Sequence, residues 1–210
     1  MSSSVERKRI RKSPTARRAE IVASAATIAL SEGLEGITLR RIGEELDVRP
    51  GLVSHYFPSA EDLVAEAFGT AATAELDALI PAERPDGTPT GHLARFLART
   101  TGDAAWDDIS ALWINARHLS RYRPALREQV AEQEAAWRAR LSGLIADGVT
   151  RGEFHTPDPV VVALQILVVL DGLSADGALT PDEVPPAVAR MAFTLAEREL
   201  SLPPGTLGAP

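Results

Sequence analysis

The sequence predicts an all-α protein of about nine helices, divided into a small N-terminal three-helix unit and a larger helical body. Nearly every apolar pattern in the 210 residues has helical spacing, and no run alternates like a strand between turn residues. Proline also stands at the expected first turn of several helices, where its missing N–H is not needed: Pro14, Pro50 and Pro159.

The ends of the first two helices are marked by start and stop signals in the sequence. The first is predicted to run from about Pro14 to Ser31, with Gly33 just past its end as a stop signal. Its apolar residues repeat at i, i+4, i+7 and i+8: Ile21, Ala25, Ile28 and Ala29. Thr38 is a suitable N-cap for a second, very short helix that ends at a break over 47–49.

The third helix begins at Pro50 and is as short as the second. Two such helices are not stable alone and must pack on their neighbours. Ser59 then caps a fourth helix that runs towards Pro81. The side chains predicted to face inward are Ile42, Leu46, Val48, Val53 and Phe57. The opposite face of the third helix then presents Pro50, Gly51, Leu52, Ser54, His55 and Tyr56.

The rest of the chain reads as a helical body followed by a tail. After a loop rich in Pro, Gly and Asp, further helices are predicted at about 90–103, 107–120, 124–151, 159–175 and 185–200. The tail SLPPGTLGAP has few apolar residues, and we expect it to be disordered. The predicted segments are a basic disordered arm at 1–13, a three-helix unit at 14–58, a body at 59–200 and the tail at 201–210.

Charge is distributed unevenly along the chain. Residues 1–60 contain ten Lys or Arg against seven Asp or Glu, a net charge of +3, whereas the whole chain carries −7. The remainder therefore carries −10. An acidic body with a basic N-terminal end is expected of a protein that touches a polyanion with one end only. A basic tail without a partner would give the same composition.

The paired short helices predict a helix-turn-helix. In that motif the second helix presents its N-terminal residues to base edges, while flanking residues contact phosphates. Gly51 would leave the surface flat near the start of this helix, so that a nucleic-acid backbone can approach closely. The alternative is an ordinary helical hairpin, in which Leu52 would be a core residue.

Residues 38–64, TLRRIGEELDVRPGLVSHYFPSAEDLV, resemble the DNA-binding segment of TetR-family transcriptional regulators. The matching features are a Thr cap, a turn containing Val, a Gly, a short recognition helix and a Tyr-Phe pair. The resemblance covers 15–68 closely, and GLVSHYF is most similar to the BetI-like branch. It implies a homodimeric, ligand-responsive regulator, most often a repressor, that binds a palindromic DNA operator and responds to an unidentified small-molecule effector bound in the body.

The resemblance also implies roles for individual residues. Arg49, Pro50 and Gly51 would meet base edges, with Arg49 suited to a bidentate contact with guanine. Leu52 would lie against a thymine methyl group. The remaining candidates would contact phosphates or, for the last three, also bases: Thr38, Arg40, Arg41, Ser54, His55 and Tyr56. The arm from Arg7 to Lys12 would follow phosphates or enter a minor groove, unless it is simply solvated.

The body suggests a dimer interface and a ligand cavity. Residues 160–173 are apolar on more sides than a lone surface helix tolerates, so about 159–175 and 185–200 are predicted to form a four-helix interface between two copies. Burial within one chain is the alternative. For a cavity the candidates are Phe96, Trp113, Arg117 and His118. Trp113 as a core residue and Arg117 as a surface residue are an equally open interpretation.

Other classes of protein find no support in the sequence. The four histidines form no HExxH or triad-like pattern, and neither a GxGxxG nor a P-loop is present, so no enzyme, metal site or cofactor is expected. With no cysteine and no apolar run of membrane-spanning length, we expect a cytoplasmic protein without a membrane partner. The remaining alternative is a helical interaction adaptor that binds no DNA and whose basic end meets an acidic protein.

Overall fold

A computed structural model of the chain describes residues 12–84, 86–102, 104–175 and 184–208, and within them it contains ten α-helices and no strand. The helices are α1 (Pro14–Glu32), α2 (Leu39–Glu45), α3 (Pro50–Tyr56), α4 (Ala60–Leu79), α5 (Pro89–Gly102), α6 (Ala104–Leu119), α7 (Pro124–Thr150), α8 (Pro159–Ala175), α9 (Pro186–Ala189) and α10 (Met191–Glu199). A 3-10 turn, Leu34–Gly36, links α1 to α2. The all-α prediction is confirmed.

The first two helices start with side-chain caps, of which the one at Thr38 was predicted from the sequence. The Ser13 hydroxyl accepts a hydrogen bond from the Ala16 N–H at 3.2 Å and starts α1. The Thr38 hydroxyl accepts from the Arg41 N–H at 3.0 Å and starts α2. Each bond satisfies one N–H that the first turn of a helix cannot pair internally.

The turn between α2 and α3 depends on a close approach of two backbones. Asp47 adopts a left-handed conformation with φ of 49°, and the Val48 N–H returns to donate to the Gly43 carbonyl at 2.9 Å. A Cβ atom at position 43 would lie 3.0 Å from the Val48 carbonyl oxygen, which is tighter than nearly all such contacts. Gly43 therefore allows the turn to close against α2.

The N-terminal unit has its own buried core, which also receives α4. Fully buried residues come from each of its helices: Ile21, Ile42, Val53, Phe57 and Leu63. On the surface of this core the Arg18 guanidinium lies 4.6 Å from the centre of the Phe57 ring and forms a two-bonded ion pair with Glu66 of α4. This contact joins α1 to α4 over the end of α3.

Two connections join the N-terminal unit to the body. Helix α4 packs on α1 and then continues into the body, where it packs on α7. In α6, Asn115 holds the 3-10 turn: its Oδ1 accepts from the Leu34 N–H at 3.0 Å, and its Nδ2 donates to Glu35 at 2.9 Å. Helices α4 and α6 are therefore both in direct contact with α1 or with the turn that follows it.

The C-terminal part of the chain differs from the prediction in two respects. The helix expected at 185–200 is divided into α9 and α10, because Arg190 lies at φ −88° and ψ 3°, outside the α region. The prediction of a disordered tail is wrong for 201–208. Leu207 is only 2% exposed, and its N–H donates to the buried Glu197 carboxylate at 3.0 Å. Leu202 also packs against the core, and its N–H donates to the Glu197 carbonyl at 2.8 Å, so local contacts hold a segment whose proline and glycine content suggested disorder.

Candidate nucleic-acid interface and ligand cavity

The third helix divides into a buried and an exposed side, as the sequence predicted. Val53 and Phe57 are 0% and 1% exposed and attach α3 to the core. The opposite side is open to solvent and includes Leu52, which is 36% exposed, so α3 is not one half of a buried hairpin. The other exposed residues of this side are Pro50, Gly51, Ser54 and His55, while Tyr56 is half-buried and packs against the core.

The first turn of α3 is an unobstructed surface. A Cβ atom built on Gly51 would meet no atom within 4 Å. The glycine is therefore not required for packing inside the protein, in contrast to Gly43. Because Gly51 has no side chain, the backbone of a binding partner can approach α3 closely at this position.

Three guanidinium groups surround a shallow depression between α2 and α3. It is lined by Arg17, Arg40 and Arg49, together with the acids Glu44 and Asp47 and with Pro50 and Leu52. Arg17 is paired with Glu20 at 2.7 Å, and Arg40 with Glu44 at 2.8 Å. Within the described parts of the chain, Arg49 forms no side-chain hydrogen bond and no ion pair, and it is exposed at the N-terminus of α3 without capping it. Arg49 is thus the cation best placed to bind a group outside the protein.

The other predicted contact residues already have partners within the protein. The Arg41 guanidinium bonds to Glu32 and Glu45, and these hydrogen bonds raise the pKa of Arg41. The Ser54 hydroxyl donates to the Gly51 carbonyl at 3.2 Å, and the rings of His55 and Tyr56 meet edge-on at 5.3 Å. Thr38, Arg41, Gly51, Ser54, His55 and Tyr56 do not line the depression. Arg17, which does, was missed; its basic character in the first turn of α1 was the available signal.

A cavity of about 230 Å³ lies between α4, α6, α7 and α8, with one residue from α5. Phe96, Trp113 and Arg117 line it, as the sequence predicted. His118 does not, because it is exposed and packs edge-on against Tyr122 at 6.3 Å. Five residues of helix correspond to a rotation of roughly 140°, so His118 points away from the face that carries Trp113. Placing His118 at the cavity was wrong.

An ion-paired cluster closes one side of the cavity. The Arg117 guanidinium lies 5.2 Å from the centre of the Trp113 ring. Its Nε donates to Glu134 at 3.1 Å, and its Nη2 donates to Asp171 at 2.9 Å. Arg117 therefore connects α6 to both α7 and α8 and is not a free surface residue.

The most unusual group of the cavity is Glu75 in α4, which sequence reasoning missed. Its Oε2 accepts from the Trp113 Nε1 at 2.9 Å, while its buried Oε1 has no hydrogen-bond partner among the described residues. Burial raises the pKa of Glu75 to about 7; the Trp113 bond lowers it in part, and the Asp171 charge adds to the rise. The available signal was its position seven residues after the buried Phe68, which places an acid on an apolar helix face.

Comparison with known proteins agrees with this architecture. A family profile described as "Bacterial regulatory proteins, tetR family" matches residues 21–67, and one described as "BetI-type transcriptional repressor, C-terminal" matches 89–201. None of the curated proteins searched matches the sequence.

Solved structures share the fold over most of the chain. A protein described as a TetR-family regulator from Rhodococcus sp. is 21% identical, with a TM-score of 0.72 over 89% of this chain and 99% of that one. A transcriptional regulator from Saccharomonospora viridis in complex with choline is 18% identical, with a TM-score of 0.69 over 87% and 95%. The multidrug binding protein EbrR complexed with proflavin is 26% identical, with a TM-score of 0.59 over 87% and 98%.

Fold and site together define a helix-turn-helix DNA-binding regulator with a helical C-terminal domain. The chain belongs to the TetR family of transcriptional regulators, and its C-terminal domain is of the BetI type. Among the described helices, none combines the length and the apolar content that crossing a bilayer requires.

Proposed function

We propose that the protein is a ligand-responsive repressor that binds a palindromic operator as a homodimer. The observation that carries this proposal is the exposed face of α3, on which Arg49 has no partner within the described residues and Gly51 leaves the first turn open. The position of Arg49 beside Arg17 and Arg40 supports the binding of a polyanion at this face.

The contacts divide into base reading and phosphate binding. Arg49 and the first turn of α3 read base edges, with Leu52 against a thymine methyl group. Arg40, Arg41, Thr38, Ser54, His55 and Tyr56 fix the register on phosphates. Arg40 and Arg41 exchange their carboxylate partners for phosphates on binding, since these pairs are exposed and weak in water. The basic arm at 1–13 adds further phosphate contacts; its residues 1–11 lie outside the described part of the chain.

The dimer forms through α8 and the two C-terminal helices. Helix α8 exposes several apolar side chains, and Val160, Leu164 and Val168 are 59%, 46% and 61% exposed. Met191 at the start of α10 adds a fourth, 51% exposed. Such a patch is expected to be covered by a second copy.

Sedimentation equilibrium should give twice the mass of one chain, and a monomer at micromolar concentration would contradict the interface.

The effector binds in the cavity between α4 and α8 and shifts the dimer between two arrangements. Choline and proflavin in the two related structures support a small organic ligand for this fold. The ligand would contact Glu75 on α4, which continues from α3, and Trp113 on α6, whose Asn115 holds the base of α1. Two half-sites require recognition helices about 34–36 Å apart. The ligand releases DNA to the extent that it binds the other arrangement more tightly.

Replacing Arg49 with alanine tests the reading role of α3. After the operator is selected from random duplexes, Arg49→Ala should weaken operator binding about tenfold to a hundredfold, because a bidentate base contact is lost. Binding to random DNA should weaken much less. Arg151→Ala, which removes an exposed cation at the end of α7, is the matched control and should alter neither the affinity for the operator nor that for random DNA. Equal losses on operator and random DNA would refute the base contact.

A further inference from the structure

Three residues that line the cavity each contain a buried polar atom without a hydrogen-bond partner among the described residues: Glu75 Oε1, Ser110 Oγ and Trp137 Nε1. Ser110 and Trp137 are 8% and 6% exposed. A buried polar group without a partner lowers stability, so each is a position where a bound molecule can supply the missing bond. A carboxylate oxygen accepts and an indole N–H only donates, so a ligand that satisfies both carries a donor and an acceptor.

The charge of the cavity distinguishes Glu75 from the other acids. Glu134 and Asp171 share Arg117, whereas no cation among the residues that the structure describes bonds to Glu75. The other charged groups packed around it are Arg138 of α7 at the cavity, and Arg99 of α5 and Asp108 of α6 in the groove on its other side. Arg99 donates to the Ala78 carbonyl. A cationic group on a ligand would therefore supply the counter-charge that the Glu75 carboxylate lacks.

The aromatic rings of the cavity are already partly engaged. One face of Trp113 is covered by Arg117, and its ring meets Phe68 edge-on at 5.0 Å. Phe96 and Trp137 pack on each other at 6.2 Å in a tilted arrangement. A cage of free aromatic faces, which suits a cation without N–H groups, is thus incomplete. Recognition of a cation here depends on a hydrogen bond to the carboxylate.

We propose that Glu75 determines the ligand specificity of the cavity and selects a small protonated amine whose N–H donates to Oε1. The apolar part of the amine lies against Trp137 and Leu164, and a hydroxyl or carbonyl on it accepts from Trp137 Nε1. This assignment rests on the proposed function of the cavity as the effector site. It distinguishes an N–H-bearing amine from a quaternary ammonium ion and from a neutral molecule of the same shape.

Binding of the amine is coupled to a proton. Because burial raises the pKa of Glu75 to about 7, part of the protein carries a neutral carboxyl group at neutral pH. The cation binds the ionised form. Its affinity therefore rises with pH up to about 7 and becomes constant above it, for as long as the amine itself stays protonated.

Calorimetric titrations of the full-length protein with three matched compounds test the proposal: N,N-dimethylethanolamine, choline and neutral 3,3-dimethylbutan-1-ol. At pH 8 the amine should bind about tenfold more tightly than the other two, because only it donates to a charged acceptor. Its affinity should fall about tenfold at pH 6, whereas that of the neutral alcohol should not. Equal affinities, tighter binding of choline or no binding of the amine would overturn the proposal.

The variant Glu75→Gln separates charge from shape, because glutamine retains an acceptor for Trp113. It should bind the amine at least tenfold more weakly at pH 8 and lose the pH dependence, while Asp77→Asn on the same helix behaves like the wild type. Unchanged amine binding by Glu75→Gln would overturn the role of Glu75.

DNA affinity measured with and without the amine is a separate readout. Binding through Glu75 that leaves DNA affinity unchanged would preserve this assignment and contradict the effector role of the cavity.

Discussion

Replacing Gly148 with alanine should lower the free energy of unfolding by about 3 kcal/mol, because the new methyl group has no room. A Cβ atom at this position of α7 would lie 2.1 Å from Cδ2 and 2.4 Å from Cε2 of Phe154. The ring cannot swing away easily, since Phe154 is 1% exposed and the N–H groups of Glu153 and Phe154 both donate to the Gly148 carbonyl. Either the helix or the buried ring must move.

The measurement is urea denaturation, with Gly143→Ala as the matched control. Gly143 lies in the same helix, and a Cβ atom there would meet nothing within 4 Å. Its replacement should raise stability by about 0.5–1 kcal/mol, as alanine in an open helix position normally does. If both alanine variants were equally stable, Phe154 would not pack on α7 as described.

The variant Glu75→Gln should gain stability over the wild type as the pH rises. The folded protein holds the proton of Glu75 up to about pH 7, whereas the unfolded chain releases it near 4.5. Between these values the wild type loses folding free energy with increasing pH, and the loss is complete above the folded pKa. Glutamine has no such loss. Its advantage should therefore grow by about 2 kcal/mol between pH 5 and pH 8.

Denaturation of both proteins at the two pH values measures this change. Asp77→Asn removes an exposed carboxylate of the same helix and serves as the control, because its difference from the wild type should be similar at both. A constant difference between Glu75→Gln and the wild type would contradict the buried environment of Glu75. The same experiment tests the proposed ligand site. With a pKa of about 7, Glu75 is uncharged in half of the molecules at pH 7, and it can release its proton when a cation binds.

The N-terminal unit was predictable from sequence because its signals are local. Thr38 and Pro50 act on the backbone within three residues of themselves, and Val53 with Phe57 shows the buried side of α3 within one turn. Once the buried side of α3 is known, the opposite side is identified as its exposed face. The sequence does not show which cations of this face form ion pairs, because the pair of Arg41 with Glu32 joins residues nine apart on two helices.

The cavity was less predictable because it is made by side chains from five helices. Trp113 and Arg117 are one turn apart and were found together, but the assignment of His118 ignored that five residues rotate a side chain off the face. Glu75 lies 38 positions from the indole that holds it, so no local pattern reports the pair. The ordered tail was missed for the same reason, since Leu207 and Glu197 interact across a turn of ten residues.

A salt titration of binding to duplex DNA decides whether α3 and its flanking cations contact DNA at all. Affinity should be measurable at 50 mM salt and should fall linearly on a log–log plot, with a slope of about −4 or steeper for a dimer that neutralises several phosphates. In the proposed complex, Arg40, Arg41 and the N-terminal arm supply these charges. No binding to DNA at low salt would contradict the regulator and favour a helical adaptor that meets an acidic protein instead.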